Sequence, residues 1–283
     1  MIRLAIQKSG RLSDDSLKLI RECGISFIST TSKLKTEATN FPLEILYLRD
    51  DDIPGYVADG VADIGIVGQN VLVEEGLQQL TVKALGFSKC RLSLAVSKGD
   101  AYEDVTTLQG KSIATSYPNL LREFLTSKGV EADIHTISGS VEIAPSIGLA
   151  DAVCDIVSSG STLISNGLRE VETVFKSEAV LIANQNLNPE KSRLLQQLLF
   201  RMEAVQKAQK SKYVVLNAPN TAIPQIKTLL PGIKSPTIIP LAEEGWSSLH
   251  SVVNEDDFWD IIQKLKEAGA EGILVVPIEK MIG

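Results

Sequence analysis

The chain has 283 residues, 44% of them hydrophobic and 22% charged, with a formal net charge of −7. That length holds two or three domains with separate cores, and the scattered Lys and Arg residues form no basic block for nucleic acid. Apolar runs such as 273–278 are too short to span a bilayer. His135 and His250 lie far from each other and from Cys23, Cys90 and Cys154, which excludes zinc-ligand and histidine-triad spacings.

Short aliphatic strands alternate with amphipathic helices through the first two thirds, a pattern that predicts α/β layering. Met1-Ile-Arg-Leu-Ala-Ile6 reads as a strand and not as a leader. The three dispersed cysteines read as reduced thiols, so a cytoplasmic location is expected. Strands are predicted over 2–6, 43–48, 63–67, 91–96, 112–115, 133–137, 153–158, 171–175 and 179–183. Helices are predicted over 13–22, 52–59, 117–128, 141–149 and 189–209.

The corner after the first strand, Gln7-Lys8-Ser9-Gly10-Arg11-Leu12, precedes a helix with Ser13 as its expected cap. It is an anion site or a solvated basic turn. Leu48-Arg49-Asp50-Asp51-Asp52-Ile53-Pro54 sets Arg49 beside three acids. It reads as an acidic helix start with an Asp cap, or as an arginine for a diphosphate tied to one of those acids. Direct metal binding by the three acids is the weaker reading, because carboxylates within one helical turn diverge. Gly110-Lys111-Ser112 imitates the end of a P-loop, but the glycine required five residues earlier is Val105, which excludes that motif. Ala114-Thr-Ser-Tyr117-Pro-Asn119-Leu120 enters a helix with Pro118 near its first turn, and Tyr117 stacks on a base or packs there. Ser138-Gly-Ser-Val-Glu142 opens another helix, where Glu142 caps the N-terminus or reaches a substrate hydroxyl or amine.

Asp151-Ala-Val-Cys-Asp155-Ile-Val-Ser-Ser-Gly-Ser-Thr-Leu163 is the most informative stretch. A strand runs into Ser158-Ser159-Gly160-Ser161-Thr162 and then into a short helix. Glycine allows close backbone approach, the hydroxyls add donors, and a helix start adds free N–H groups, so the loop suits a phosphate. Asp151 and Asp155, four apart along a strand, share a face and can accept hydrogen bonds from sugar hydroxyls. The alternative is a Ser/Thr-capped helix after a buried strand. Val61-Ala-Asp63-Ile-Gly-Ile-Val-Gly68 echoes Val153-Cys-Asp155-Ile-Val-Ser-Ser-Gly160. Unless the echo is chance, it predicts two similar lobes aiming such loops at a common cleft, with 179–183 and 189–209 returning to the first lobe.

The pattern changes at Ser211. Strand 212–217, helix 222–230, strands 236–241 and 247–253, helix 256–268 and strand 272–277 read as βαββαβ, a ferredoxin-like module. Pro231-Gly232 and Glu244-Gly245 mark its turns, and Asn254 is the expected cap of its second helix.

Taken in order, Gln-Lys-Ser-Gly-Arg-Leu, Arg-Asp-Asp-Asp-Ile-Pro, Asp-Ile-Gly-Ile-Val-Gly, Cys-Arg-Leu-Ser-Leu-Ala, Ile-Ala-Thr-Ser-Tyr-Pro, Gly-Ser-Val-Glu and Asp-Ile-Val-Ser-Ser-Gly-Ser-Thr-Leu closely resemble the ATP phosphoribosyltransferase family of histidine biosynthesis. The trailing module resembles the histidine-sensing domain of the long form, so the resemblance covers essentially the whole chain. Purine-type phosphoribosyltransferases differ, pairing adjacent acids before a Thr-Gly-Gly-Thr-like loop. The resemblance implies a two-lobed α/β catalytic core of the periplasmic-binding-protein type II kind. Lobe I would be 1–89 with 179–210, lobe II 90–178, and a ferredoxin-like regulatory domain 211–283.

The implied reaction transfers the phosphoribosyl group of phosphoribosyl diphosphate to N1 of ATP, with Mg²⁺ on the phosphates and histidine as feedback inhibitor. Lys8, Arg11 and Arg49 are then the catalytic candidates. Asp151, Asp155, Ser158, Ser159, Gly160, Ser161 and Thr162 would bind phosphoribosyl diphosphate. Cys90, Arg91, Tyr117 and Glu142 would bind ATP, and Asn217, Thr237, Leu241 and Ile273 the regulatory histidine. The expected assembly is a homo-oligomer, dimer and hexamer, without nucleic acid or membrane; the metal ligands stay open. The competing class is a non-catalytic two-lobed binder or sensor, but such proteins are usually exported or fused to a DNA-binding segment.

Overall fold

The computed structural model describes residues 1–28, 34–230, 232 and 234–282. Met1–Lys18 with Ile25–Leu194 forms one compact unit, and Leu19–Gly24 with Leu195–Gly283 forms a second.

The first unit is built on two sheets. In one, β1 (Ile2–Gln7) runs parallel to β3 (Leu43–Leu48) and β4 (Ile64–Gly68), while β2 (Lys35–Glu37) closes the edge beside β3. There β11 (Ala179–Ala183) lies antiparallel between β4 and β5 (Thr81–Ala84). In the other, β7 (Ser112–Thr115) runs parallel to β8 (Asp133–Thr136) and β9 (Ala152–Val157). There β6 (Cys90–Ser97) lies antiparallel between β9 and β10 (Leu168–Ser177). The plans match: in each sheet the strand beside the third parallel strand arrives from the other sheet, β6 after β5 and β11 after β10. This is the two-lobed α/β core that the motif order implied.

Apolar packing holds each sheet. Ala5, Ile53, Val57, Val67, Leu72 and Ile182 form one cluster, and Leu92, Leu94, Ile113, Leu121, Ala152 and Cys154 form another. Among the described residues, six helices accompany these sheets, α1 (Arg11–Glu22), α2 (Ile53–Ala58), α3 (Gln69–Glu74), α4 (Pro118–Ser127), α5 (Ser161–Ser165) and α6 (Pro189–Gln209). Residues of α6 through Leu194 group with the first unit, and those from Leu195 with the second.

Several local expectations change. Helix α1 starts at Arg11 and not after a Ser13 cap, because the Gly10 carbonyl already accepts from Asp14 N at 3.1 Å and Ser13 is buried inside the helix. The helix expected over 52–59 opens as a 3-10 turn at Asp50–Asp52, becomes α2 at Ile53, and receives no side-chain cap from Asp52. The helix expected over 141–149 is two 3-10 turns, Val141–Ile143 and Pro145–Ile147, since Pro145 lacks the donor a continuous helix needs. Strand β10 outruns 171–175 at both ends, because irregularities at 170/172 and 173/175 break its alternation. Elements β2, β5 and α3 have no predicted counterpart, being too short to show a period.

The two sheets share a finer repeat than the expected echo. Asp63 donates its N–H to Arg3 O at 3.0 Å and accepts Arg3 N on Oδ2 at 2.8 Å. Asp151 donates to Ser112 O at 2.9 Å and accepts Ser112 N on Oδ2 at 2.8 Å. Each aspartate locks the turn that enters a third parallel strand to the central strand beside it. The signature is Gly60-Val-Ala-Asp63 against Gly148-Leu-Ala-Asp151, with the glycines at φ +73° and +74°. Asp63 therefore corresponds to Asp151 and not to Asp155.

The second unit contains β12 (Ser211–Pro219), α7 (Ile223–Leu229), β13 (Thr237–Pro240), β14 (Trp246–Asn254), α8 (Phe258–Glu267) and β15 (Glu271–Pro277). Its strands are antiparallel in the order β13-β14-β12-β15, the ferredoxin-like arrangement, around Val214, Leu216, Ile226, Leu249, Phe258 and Leu265. Asn254 ends β14 instead of capping α8. Its Oδ1 accepts from Asp256 N at 3.4 Å, and α8 begins four residues later at Phe258. Of the expected turn residues, Pro231 lies outside the described residues.

Strand β4 passes so close beneath α2 that a Cβ on Gly65 would meet Ile53 Cγ2 at 2.7 Å and Ile182 Cγ1 at 3.2 Å. Gly65→Ala is expected to overpack this contact and lower stability by about 1–3 kcal/mol. The measurement is the urea midpoint, which should fall with an unchanged slope; a wild-type midpoint would mean that α2 can shift at no cost.

Candidate active site

Lys8, Arg49, Tyr117 and residues 158–162 follow the C-terminal ends of parallel strands in the two sheets, where open α/β sheets bind ligands. Their centre is the loop after β9. Gly160 takes φ +81° ahead of α5, a turn that strains any residue with a Cβ, and the Ser159 and Ser161 hydroxyls lie 3.0 Å apart. Because α5 has only five residues, the loop's amides and hydroxyls carry most of its capacity for an anion.

Ser158 is held from two sides. Arg11, at the first residue of α1, donates from Nη1 to Ser158 Oγ at 2.8 Å, joining the basic corner of one lobe to the hydroxyl loop of the other. Arg91 on β6 donates from Nη1 to the Ser158 carbonyl at 3.4 Å. The rest of the Arg91 guanidinium is taken by Glu170 on β10: Nη2 lies 2.5 Å from Oε2, and Nε pairs with Oε1. The same carboxylate accepts Ser93 Oγ at 2.8 Å. The Arg91 bonds hold the Glu170 carboxyl below the usual carboxylate range.

Lys8 and Arg49 are exposed at the ends of β1 and β3, and Lys8 N donates to Leu48 O at 2.8 Å, so the two basic corners are neighbours. Burial raises the Asp51 carboxyl, Asp50 adds to the effect, and Arg49 opposes it. Tyr117 Oη accepts from Asn70 Nδ2 at 3.0 Å. Asn70 Oδ1 accepts from Ser177 Oγ at 2.7 Å, and Ser177 Oγ accepts from Asn70 N at 3.1 Å. Burial keeps the Tyr117 phenol protonated, with Asp50 and Asp155 close enough to reinforce it. Tyr117 is thus a tie between lobes, packed beside the core of its own sheet. Burial likewise raises the Cys90 thiol, which is hydrogen-bonded to Ser177. Burial also raises the Asp155 carboxyl, against a bond from Ile156 N at 2.7 Å, and Glu142 on its 3-10 turn adds to the rise. A pocket of about 320 Å³ at the crossover between lobes is lined by Gln69, Lys89, Cys90, Arg91, Ser158 and Lys176, among others.

Asp151 is not brought to this site. It precedes β9 at the end opposite the loop; at about 3.3 Å per residue it stands roughly 13 Å of strand from Asp155. Its Oδ2 accepts both Ser112 N and Ser112 Oγ at 2.8 Å. Sharing a face of the strand did not place it at the same end. Asn70, Ser177 and Glu170 were not anticipated, since each meets its partner across 47 to 107 residues of chain, beyond the reach of local spacing.

In the second unit, Thr237 lies on β13 at one edge of the sheet, with Leu241 just beyond its end, while Ile273 lies on β15 at the other edge and Asn217 on β12 between.

The sequence model of ATP phosphoribosyltransferase matches residues 49–204, and that of the HisG C-terminal domain matches 208–280. An ATP phosphoribosyltransferase of Cytophaga hutchinsonii is 64% identical over 282 residues, covering 100% of this chain and 99% of that protein. One from Parabacteroides distasonis is 59% identical over the full length of both. The chain belongs to the ATP phosphoribosyltransferase family. With the C-terminal domain present, it has the family's long form.

Among solved structures, a chain of the ATP phosphoribosyl transferase (HisG:HisZ) complex from Thermotoga maritima matches with a TM-score of 0.60 at 29% identity, over 72% of this chain and 99% of that one. A protein solved with bound L-arginine matches with a TM-score of 0.52 at 13% identity, over 74% and 86%, which shows a common fold alone. No helix among the described residues of this ATP phosphoribosyltransferase family member is long and apolar enough to cross a membrane.

The Ser112 N–H and hydroxyl hold the Asp151 carboxyl below its ordinary range. A lowered pKa stabilises the fold above the unfolded value and loses that contribution as pH falls through the folded one. Asp151→Asn should therefore lower Tm at neutral pH, with the gap to wild type closing as pH falls below about 4. Thermal melts across pH test this; a gap constant with pH would mean that the Asp151 charge contributes nothing.

Proposed function

We propose that this chain transfers the phosphoribosyl group of phosphoribosyl diphosphate to N1 of ATP, releasing diphosphate, the first step of histidine biosynthesis. The supporting observation is the 2.8 Å bond from Arg11 to Ser158. It joins a cationic corner to a hydroxyl-and-glycine loop, so the two ends of one phosphorylated ribose find partners in a single cleft. The adenine N1 lone pair forms a bond to C1 of the ribose as the C1–O bond breaks and its electron pair leaves on diphosphate. N1 is already a free nucleophile, so no base must act first. The barrier lies in separating charge across an oxocarbenium-like ribose, which makes positioning and charge stabilisation the main contributions.

In this reading Lys8, Arg11 and Arg49 stabilise the departing diphosphate. Ser158 to Thr162 cradle the 5′-phosphate, and Asp155 takes the ribose hydroxyls. Tyr117, Glu142 and the crossover pocket beside Cys90 and Arg91 take the ATP side. Among the described residues no group of three or more His, Cys, Asp or Glu side chains could hold a metal ion. An Mg²⁺ would be ligated mainly by phosphate oxygens and water, where it would neutralise diphosphate charge. We assign 1–89 with 179–210 to lobe I and 90–178 to lobe II, working in the cytoplasm with reduced thiols.

Turnover is the test: diphosphate should be released only when ATP and phosphoribosyl diphosphate are both present, with a matching absorbance change of the adenine. Release without ATP, or binding without product, would overturn the reading. Arg11→Ala should lower kcat by about 10²-fold with a smaller change in KM. A change confined to KM would move Arg11 to ground-state binding.

Residues 211–283 are proposed as a regulatory domain that binds histidine in a homo-oligomer. Ile238 and Ile239 on β13 and Leu274, Val275 and Val276 on β15 are exposed along the two sheet edges, apolar positions that a second copy of the chain would cover. Thr237 and Leu241 lie toward the edge opposite Ile273. A single ligand touching all four regulatory candidates therefore requires edges from two copies. Histidine should inhibit non-competitively with phosphoribosyl diphosphate, and its affinity, measured by calorimetry, should fall as the protein is diluted to monomer. Binding to the monomer with undiminished affinity would rule out a site shared between copies.

A further inference from the structure

We propose that Glu170, acting through Arg91, is a positioning residue for the phosphate loop, an inference that rests on reading that loop as the 5′-phosphate cradle. Arg91 and Ser93 share one face of β6. Glu170 stands on β10 opposite Ala95 and reaches back along this face to bond both of them. On its other side β6 pairs with β9, with Arg91 in register with Val157, the last residue before the loop. The third edge of the Arg91 guanidinium therefore meets the loop's first carbonyl, at 3.4 Å from Ser158 O.

A carboxylate close to a phosphate site is unfavourable unless its charge is absorbed, and here a bidentate arginine absorbs it. The pair is 34% and 27% exposed and nearly neutral as a unit, so it offers little net charge to attract phosphate. Its contribution is geometric. In a trans peptide the C=O and the following N–H point in opposite directions. Holding the Ser158 carbonyl toward Arg91 turns the Ser159 N–H to the opposite side, toward the phosphate. Arg11 on the Ser158 hydroxyl fixes the same residue from the other lobe. Without Glu170, the Arg91 guanidinium would lose its bidentate partner and be free to turn, and the loop would lose its fixed peptide plane.

Glu170→Gln keeps the shape and removes the charge that orients Arg91. In the ATP-dependent diphosphate assay on the full chain, it should raise KM for phosphoribosyl diphosphate by about 10-fold. KM for ATP should rise less, although Arg91 also lines the pocket read as the ATP side, and combining Glu170→Gln with Arg91→Lys should be no worse than the worse single variant, the mark of two residues acting as a unit. Glu170→Asp, which keeps the charge, should recover part of the loss. Equal rises in both KM values, additive effects in the double variant, or unchanged kinetics would overturn the proposal. If Glu170→Gln does not fold, Ser93→Ala removes one bond to the same carboxylate. It should give a smaller rise in the same constant, and unchanged kinetics there would equally overturn the proposal. Wild-type turnover in the same assay tests the reaction itself, so the two failures are distinguishable.

Discussion

The Glu74 carboxylate sets the geometry on which the catalytic core depends. It ends α3 in one lobe and accepts Asn119 N at 2.8 Å and Leu120 N at 2.9 Å, the first free amides of α4 in the other. Pro118 has no N–H to offer, and Tyr117 in the cap position makes no side-chain cap bond, so the helix receives its cap from across the cleft. The bonds are charge-assisted and lie at the positive end of a helix dipole. The other end of α3 is held as well, since Asn70 bonds both Tyr117 and Ser177. One six-residue helix thus ties the lobes at both of its ends. Spreading them would strip α4 of both amide partners at once and break a buried side-chain network, so any opening of the lobes carries that cost.

Much of this architecture was legible in the sequence, and what was not follows from specific physics. The two lobes and the βαββαβ module were readable because apolar strands such as the eight-residue β6 and the stretch from Ser211 onward stand out between turn residues. Elements β2, β5 and α3 span three to six residues and carry no period, although α3 holds two of the residues that join the lobes, Asn70 and Glu74. The hydroxyl-and-glycine loop from Ser158 to Thr162 was visible as a local string. Its supports were not, because Arg91 meets Glu170 across 79 residues and Arg11 meets Ser158 across 147. Asp151 illustrates a different failure. Face-sharing along a strand correctly relates residues four apart, but a site also requires the same strand end. The shorter string Gly-x-Ala-Asp, present at 60–63 and 148–151, was the signal that would have aligned Asp151 with the structural Asp63.

Charge placement gives the cleft a direction. A chain with net charge −7 repels polyanions at long range, so any phosphate must be held by local groups. Around the loop those groups fall into three kinds. Arg11, Lys8 and Arg49 are cations, suited to the moiety with the most negative charge. The amides and hydroxyls from Ser158 to Thr162 supply neutral donors, with Arg91 neutralised by Glu170 behind them. Asp155, near Glu142 and a protonated Tyr117, supplies acceptors in a setting that already penalises negative charge. A second anion next to Asp155 would add to that penalty, whereas hydroxyl donors would relieve it. Under the proposed reading, the ribose is therefore oriented as much by where phosphate is unwelcome as by where it is bound: hydroxyls toward Asp155, the 5′-phosphate into the neutral loop, and the diphosphate toward the arginines that draw it away from C1.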